Sequence, residues 1–237
     1  MGMTRVPLLL LPGLLCDERL WRAQIVDLAD IAESKVADLT QDDRLEAMAA
    51  RALASMPARF AVAALSMGGY VAFSLLRLAP ERVTRLALFD TSARPDTEIA
   101  ARRRRGLMAL ASTGRFRGIG PRLFPQLVHP DRHGDGALAA EIIGMAERVG
   151  RAAFLRQQAA ILHRPDFRPD LADIRTDTLV VVGEADQLTP LDRAEEIAVG
   201  IAGARLVVMP GCGHLPPMEQ PDAVSALMRD WLSSGAP

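Results

Sequence analysis

The sequence predicts an α/β fold: an open, mostly parallel sheet with helices on both faces. Two observations carry this. Six short β-rich apolar runs are mostly separated by segments whose apolar residues recur at three- and four-residue intervals, and strands alternating with helices imply a parallel sheet covered on both sides. The alternation stops after Asp90 and resumes near residue 177, so the intervening segment is an insertion between two strands.

In chain order, strands are expected at 6–11, 35–39, 60–65, 83–89, 178–182 and 205–209, and helices at 18–30, 42–55, 67–78, 191–199 and 222–232. Several of these helices start near Asp, Thr or Pro, residues that suit helix N-termini, and their lengths suit right-handed crossovers. Residues 94–176 read as helices and loops only, with turn signals at Arg94-Pro95, 118–121 and 129–136. The expected organisation is therefore a core domain of 1–93 and 177–237 with a helical insertion at 94–176.

The first run sits in TRVPLLLLPGLLCDERLW, residues 4–21. One basic residue, an apolar run and a cysteine suit either an export signal with a lipid-attachment cysteine or the first buried strand of an enzyme. Cys16 follows Leu14 and Leu15, whereas lipid attachment normally follows a small residue, which favours the strand. At 237 residues, 49% of them hydrophobic, the chain is long enough for one core plus an insertion. A net charge of −1 gives no reason to expect nucleic acid or an anionic membrane as the partner. The opening run, broken by Pro12 and Gly13, falls short of the roughly 20 residues that span a bilayer. Two cysteines are too few for a disulfide scaffold and have no close zinc-ligand companions. A cytoplasmic protein with a small-molecule partner and no metal is expected, and oligomeric state is not legible.

The strand FAVAAL runs directly into SMGGYVAFSLLRL, which places Ser66 at a strand-to-helix turn with Gly68 and Gly69 just behind it. Such a turn lifts a nucleophilic hydroxyl above the sheet, and the glycines let helix and strand pack closely. The first glycine of the usual G-x-S-x-G is here Ala64; the other reading is a serine at an ordinary helix N-cap. A serine needs a base, and the base needs an orienting acid. TLVVVGEADQLTP sets Asp186 in the loop after one strand, and RLVVMPGCGHLPPMEQP sets His214 in the loop after the next. Both loops leave the carboxyl ends of strands, where open parallel sheets place their sites. Asp186 is the expected acid, with Glu184 and, more seriously, Asp90 as rivals. Oxyanion donors are expected from the backbone N–H of Met67, the residue after the nucleophile, and of Leu14, in the turn after the first strand. A chain using Leu14 in this way would have to keep its opening leucines.

Two further features are expected to be bystanders. ARRRRGLMAL at 101–110 is a candidate anion-binding element, but a charge run on a helix is ordinarily a solvated face. His129 and His133 flank a Pro-Asp-Arg turn without a third ligand nearby, so a surface loop is expected.

The elbow ALSMGG, the loop GEADQLTP, the GCGH before the last helix and the order Ser66, Asp186, His214 resemble the α/β-hydrolase fold family over almost the whole chain. That family usually has His-Gly at the oxyanion loop, where this chain has Pro12-Gly13. The resemblance implies six strands in the order 2-1-3-4-5-6, since the family's N-terminal hairpin is missing here, and 94–176 as a helical cap over the site. It also favours Asp186 over Asp90, because only Asp186 lies in the family's acid loop. The implied activity is a serine hydrolase, a carboxylesterase or lactonase acting on a small ester with no cofactor. Carbon–carbon bond hydrolases, a lyase, and ligand-binding receptors also resemble this family and stand as alternatives; a dehalogenase, whose nucleophile is an aspartate, is disfavoured.

Overall fold

The computed structural model describes residues 5–114, 116, 118–120 and 123–233. The ends of the expected core domain, 1–4 and 234–237, and Pro121 of the expected turn lie outside the described residues. The strands are β1 (Val6–Leu11), β2 (Ala32–Val36), β3 (Phe60–Leu65), β4 (Val83–Phe89), β5 (Asp177–Gly183) and β6 (Arg205–Met209). They form one sheet in the expected order β2-β1-β3-β4-β5-β6, and every neighbouring pair is parallel.

The helices are α1 (Arg22–Asp27), α2 (Leu45–Ala54), α3 (Met67–Leu78), α4 (Glu98–Ser112), α5 (Phe124–Leu127), α6 (Gly136–Leu162), α7 (Leu191–Gly200), α8 (Pro216–Glu219) and α9 (Pro221–Ser233). Apolar residues of α2, α3 and α7 pack with Leu9, Leu11, Val62 and Ala64 on one face of the sheet. Those of α9 pack with Leu8, Leu10, Ala61 and Ala63 on the other, where Trp21 meets Phe89 edge to face at 5.5 Å between centroids. Leu8, Leu9, Leu10 and Leu11 therefore alternate between the two cores, and all four are fully buried. A strand inside a sheet covered on both sides has no polar face, which is why it reads as an unbroken apolar run. Each such leucine contributes about 1.5–3 kcal/mol relative to an exposed one.

Two elements differ from expectation. β2 begins at Ala32, three residues ahead of the expected 35, because it is an edge strand whose polar Glu33, Ser34 and Lys35 leave it without an apolar run. The expected helix 18–30 is a 3₁₀ turn at Glu18–Trp21, capped by Asp17, followed by the short α1. The chain must turn early to enter β2: Ile31 N and Ala32 N both donate to Leu28 O, at 3.0 and 2.8 Å.

The register pairs Leu11 with Ala64, Leu65 with Phe89, Phe89 with Val181 and Gly183 with Met209, so the turns leaving β1, β3, β4, β5 and β6 open along one end of the sheet. Between β4 and β5 no strand occurs among the described residues; α4, α5 and α6 fill the segment, with α6 broken at Gly150, where φ is 73°. Among the described residues no helix is long and apolar enough to cross a membrane.

Candidate active site

Backbone strain marks the site. Among the described residues, the non-glycines with positive φ are Leu15 at 61°, Ser66 at 54° and Asp90 at 44°, each in a turn leaving a strand at the same end of the sheet. Such conformations cost about 1–3 kcal/mol each and persist where surrounding structure enforces them. Ser66 is held between β3 and α3 by its N–H donating to Phe89 O at 3.0 Å and its carbonyl accepting from Gly69 N at 2.9 Å and Thr91 Oγ1 at 2.8 Å. The glycine pair is required for this packing. A Cβ at Gly68 would lie 2.3 Å from Leu11 O, and one at Gly69 would lie 2.3 Å from Thr91 Oγ1. Ala64, the departure from the usual elbow, is fully buried in β3 and accommodated there.

Asp186 and His214 meet beside this turn. His214 Nδ1 lies 2.9 Å from Asp186 Oδ2, and both side chains are buried. Asp186 Oδ1 accepts from Leu188 N at 2.8 Å and Thr189 N at 3.2 Å, and Thr189 Oγ1 donates to Oδ2 at 2.6 Å. Burial opposes its charge, but the His214 imidazole and these donors outweigh burial and hold the carboxyl well below the usual carboxylate range. An ionised Asp186 accepts the Nδ1–H of His214, which leaves Nε2 as the imidazole's basic nitrogen.

The rivals take other positions. Glu184 is exposed, and its Oε2 accepts from Gly211 N at 3.2 Å. Asp90 is buried next to the pair: its Oδ1 accepts from Gly183 N at 2.9 Å, and its Oδ2 has no hydrogen-bond partner among the described residues other than what a proton on it would make. Burial, followed by the Asp186 charge, pushes its carboxyl well above the usual range, which favours its neutral form. One donor atom from each of Asp90, Asp186 and His214 lies within 4.8 Å of the others, a spacing a cation can use. Nδ1 and Oδ2 are already spent on each other, which disfavours the three as a ligand set.

Ser66 and His214 line one cavity of about 580 Å³, together with Leu14, Leu15 and residues of α4 and α6. The N–H groups of Leu14 and Met67 have no acceptor among the described residues, whereas Leu15 N donates to Gln157 Oε1 at 3.1 Å. Gln157, from α6, also donates to Leu39 O at 3.1 Å and is fully buried.

Three residues that position this arrangement were not anticipated. Thr189 follows the acid by three positions in a turn that Asp186 itself closes, a local pattern that was legible. Glu219, from α8, accepts from Gly213 N at 3.0 Å, Leu215 N at 3.1 Å and His129 N at 2.7 Å, which fixes both sides of His214. Neither Glu219 nor Gln157 carries a sequence signal, since their partners are set by tertiary packing. His129 thus contributes through its backbone, and the His133 ring contacts Pro125 O at 3.0 Å. Cys16 borders the cavity with its thiol pushed up to about 12 by burial, followed by the Asp17 charge. Cys212 is fully buried and its thiol is also pushed up, by burial and then Glu219; both are poor nucleophiles.

A family model described as the alpha/beta hydrolase family matches residues 8–227. Over 200 residues, the chain is 32% identical to a pimeloyl-[acyl-carrier protein] methyl ester esterase of Aromatoleum aromaticum, covering 78% of this chain and 79% of that protein. A local match of 69 residues at 39% identity relates it to a 2-hydroxy-6-oxononadienedioate/2-hydroxy-6-oxononatrienedioate hydrolase of Escherichia coli, covering 29% of this chain and 24% of that protein. Among solved structures, a thermophilic esterase from Thermogutta terrifontis, bound to malate, superimposes with a TM-score of 0.85 at 30% identity, covering 98% of this chain and 90% of that one. The enol-lactonase from Burkholderia xenovorans LB400 shares the fold, with a TM-score of 0.86 at 22% identity over 98% of this chain and 93% of that one. With the sheet, the strained serine turn and the buried histidine–aspartate pair in place, this chain belongs to the alpha/beta hydrolase family.

Proposed function

We propose that the protein is a serine hydrolase that cleaves a small carboxylic ester or lactone through an acyl-Ser66 intermediate. His214 Nε2 takes the Ser66 hydroxyl proton as Oγ attacks the carbonyl, and Asp186 steadies the imidazolium through Nδ1–H. The oxyanion that forms is met by the Leu14 and Met67 N–H groups. His214 then returns the proton to the departing alcohol oxygen, which in a lactone stays tethered, and next activates the water that frees Ser66. Residues 94–176 act as the cap, supplying α4 and α6 to the cavity wall.

The observation that carries this reading is a pair of N–H groups without acceptors among the described residues, on Met67 next to Ser66 and on Leu14 in the wall of the same cavity, which also holds a buried, carboxylate-oriented histidine. Such preorganised donors are worth most where charge develops away from water. The esterase relative from Aromatoleum and the Thermogutta esterase support the same class. The test is repeated turnover of p-nitrophenyl acetate and butyrate, with a fluorophosphonate label mapped to Ser66. Single-cycle reaction that stalls would instead indicate a receptor. Carbon–carbon bond hydrolysis is the second reading, favoured by the local match to the E. coli hydrolase; turnover of a 2-hydroxy-6-oxo-dienoate in preference to every ester would select it.

A further inference from the structure

The basic tract 101–110, expected as a solvated face, is divided by the structure. Arg102 and Arg105 border a neighbouring cavity of about 330 Å³ that also meets Glu98 and shares Asp96 and Arg164 with the cavity of Ser66. Arg103 and Arg104 border the cavity of Ser66 and His214. Arg104 is mostly buried and shares one carboxylate with Arg164: Asp96 Oδ2 lies 2.8 Å from Arg104 Nε, and Asp96 Oδ1 lies 2.6 Å from Arg164 Nη1. The side chains of Arg104, Arg164 and Asp96 are only 18%, 7% and 5% exposed. Two guanidiniums on one carboxylate leave a surplus positive charge in the wall of a largely apolar cavity.

The other cationic side of this cavity is balanced. Arg94 lies 2.8 Å from Glu196, and Arg193 Nη1 lies 2.9 Å from Asp192 Oδ2, an ion pair that leaves this nitrogen without a hydrogen bond among the described residues. At the Asp96 cluster the further partners are neutral: Arg104 Nη1 donates to Gln158 Oε1, and Arg164 lies 4.5 Å over the Tyr70 ring. Arg104 Nη2 makes a second bond to Asp96 Oδ1 at 3.3 Å, so no second carboxylate meets the two guanidiniums among the described residues. Arg164 spends Nε on Arg94 O and Nη1 on Asp96 and Ile161 O, and its Nη2 hydrogens have no acceptor among the described residues. Arg103, one residue from Arg104, has no ion pair or hydrogen bond among the described residues. Burying unbalanced charge is costly, and the N–H groups left over, on Arg164 Nη2 and on Arg103, are suited to a carboxylate through charge-assisted hydrogen bonds.

We propose that Arg104 and Arg164, with Arg103 at the cavity mouth, form an anion subsite, and that the substrate is an ester or lactone carrying a carboxylate on its non-reacting part. This rests on the serine-hydrolase reading of the same cavity. The carboxylate docks against the Arg104–Asp96–Arg164 cluster while the scissile carbonyl reaches Ser66, and the apolar wall covers the chain between them.

The test compares ethyl hydrogen adipate with ethyl hexanoate by pH-stat, in the parent protein and in Arg104→Gln, Arg104→Lys and Arg103→Gln. The parent should favour the carboxylate ester in kcat/KM by about tenfold or more, the range of a charge-assisted hydrogen bond. Arg104→Gln should collapse that ratio toward one, Arg104→Lys should keep part of it, and the exposed Arg103→Gln should lower it with no risk to folding. Added salt should raise KM for the charged ester alone. A second arm needs no turnover: sodium adipate should raise the thermal midpoint of Ser66→Ala and not of the Ser66→Ala/Arg104→Gln double variant. A parent ratio near one, ratios unchanged in both glutamine variants, or stabilisation by inorganic phosphate but not adipate would overturn the carboxylate subsite. If both esters are cleaved equally, the hydrolase reading stands without the subsite; if neither is cleaved but adipate stabilises through Arg104, the subsite stands without that reading.

Discussion

Gly68→Ala adds one methyl group at the point where the serine turn meets the end of β1. Its Cβ would lie 2.3 Å from Leu11 O, 2.7 Å from Leu11 C and 2.9 Å from Pro12 O. Ordinary contact is about 3.5 Å, so the two must part by about 1 Å, and the obstructing atoms are backbone that cannot rotate aside. The retreating backbone leads directly into Gly13 and Leu14, the proposed oxyanion donor. Overpacking of this kind costs about 1–3 kcal/mol, and alanine's better helix propensity returns about 1, so the protein should remain folded. Catalysis should fall much further, because a 1 Å misplacement costs about 10²-fold and a lost oxyanion donor about 10²–10³-fold. The loss should appear in kcat more than in KM, since the donors act on developing charge. Steady-state hydrolysis of p-nitrophenyl butyrate alongside thermal unfolding measures both. Gly106→Ala is the control: a Cβ there meets nothing within 4 Å, so stability should rise slightly and kcat should not change. A folded Gly68→Ala protein with the parent's kcat would sink the proposed role of this turn.

Asp186→Asn should lower turnover by roughly 10⁴-fold through the wrong histidine tautomer; a mild effect in the same ester assay would remove Asp186 as the orienting acid. Asp90→Asn keeps a neutral donor in place of a neutral acid, so its turnover should stay within about threefold of the parent, and a crippling loss would mean that Asp90 works as a charged group. The two carboxyls also have opposite effects on stability against pH. The depressed carboxyl of Asp186 contributes stability that is present above about pH 4 and lost as pH falls through its folded value. The raised carboxyl of Asp90 does the reverse, since above about pH 4 the unfolded chain releases a proton that the folded one retains, and stability declines until its folded value is passed. Asp90→Asn should therefore gain thermal midpoint over the parent at pH 7 and lose that gain near pH 3; an equal difference at both would refute the protonated assignment. Leu14→Pro removes the N–H and should cost about 10²–10³-fold in kcat, whereas Leu14→Ala should change rate only through packing; parent-like turnover by folded Leu14→Pro would exclude that donor.

What the sequence revealed follows from how locally each feature is encoded. β1 and β3 are buried on both faces, so their leucines and alanines form unmistakable runs, and the serine turn announces itself through Gly68 and Gly69 one helical turn away. β2 was displaced because an edge strand tolerates Glu33, Ser34 and Lys35, and the pattern that betrays it lies in its pairing with β1. The order of Ser66, Asp186 and His214 was legible because each follows a strand end. That Asp90 ends a neighbouring strand at the same edge was legible too; its hydrogen bond to Gly183 N was not, since the turn that aims it there is set by tertiary packing. The basic tract shows the limit most clearly: four successive arginines look alike in sequence, and only the orientation of α4 separates the pair bordering the cavity of Ser66 and His214 from the pair bordering the other.

The Gln157 side chain joins three remote parts of the chain: α6, the turn after β1 and the loop after β2, with partners 142 and 118 positions away. Contacts of such sequence separation form late, because the intervening loop must be closed before they contribute anything. The sheet can assemble from nearer neighbours, yet the strained turn at Leu15 has nothing to hold its N–H until the insertion has docked. Competence for catalysis should then be gained late in folding and surrendered early. Activity should disappear in urea before the sheet's far-UV signal does, with the gap between the two midpoints closing as a ligand in the cavity ties α6 down.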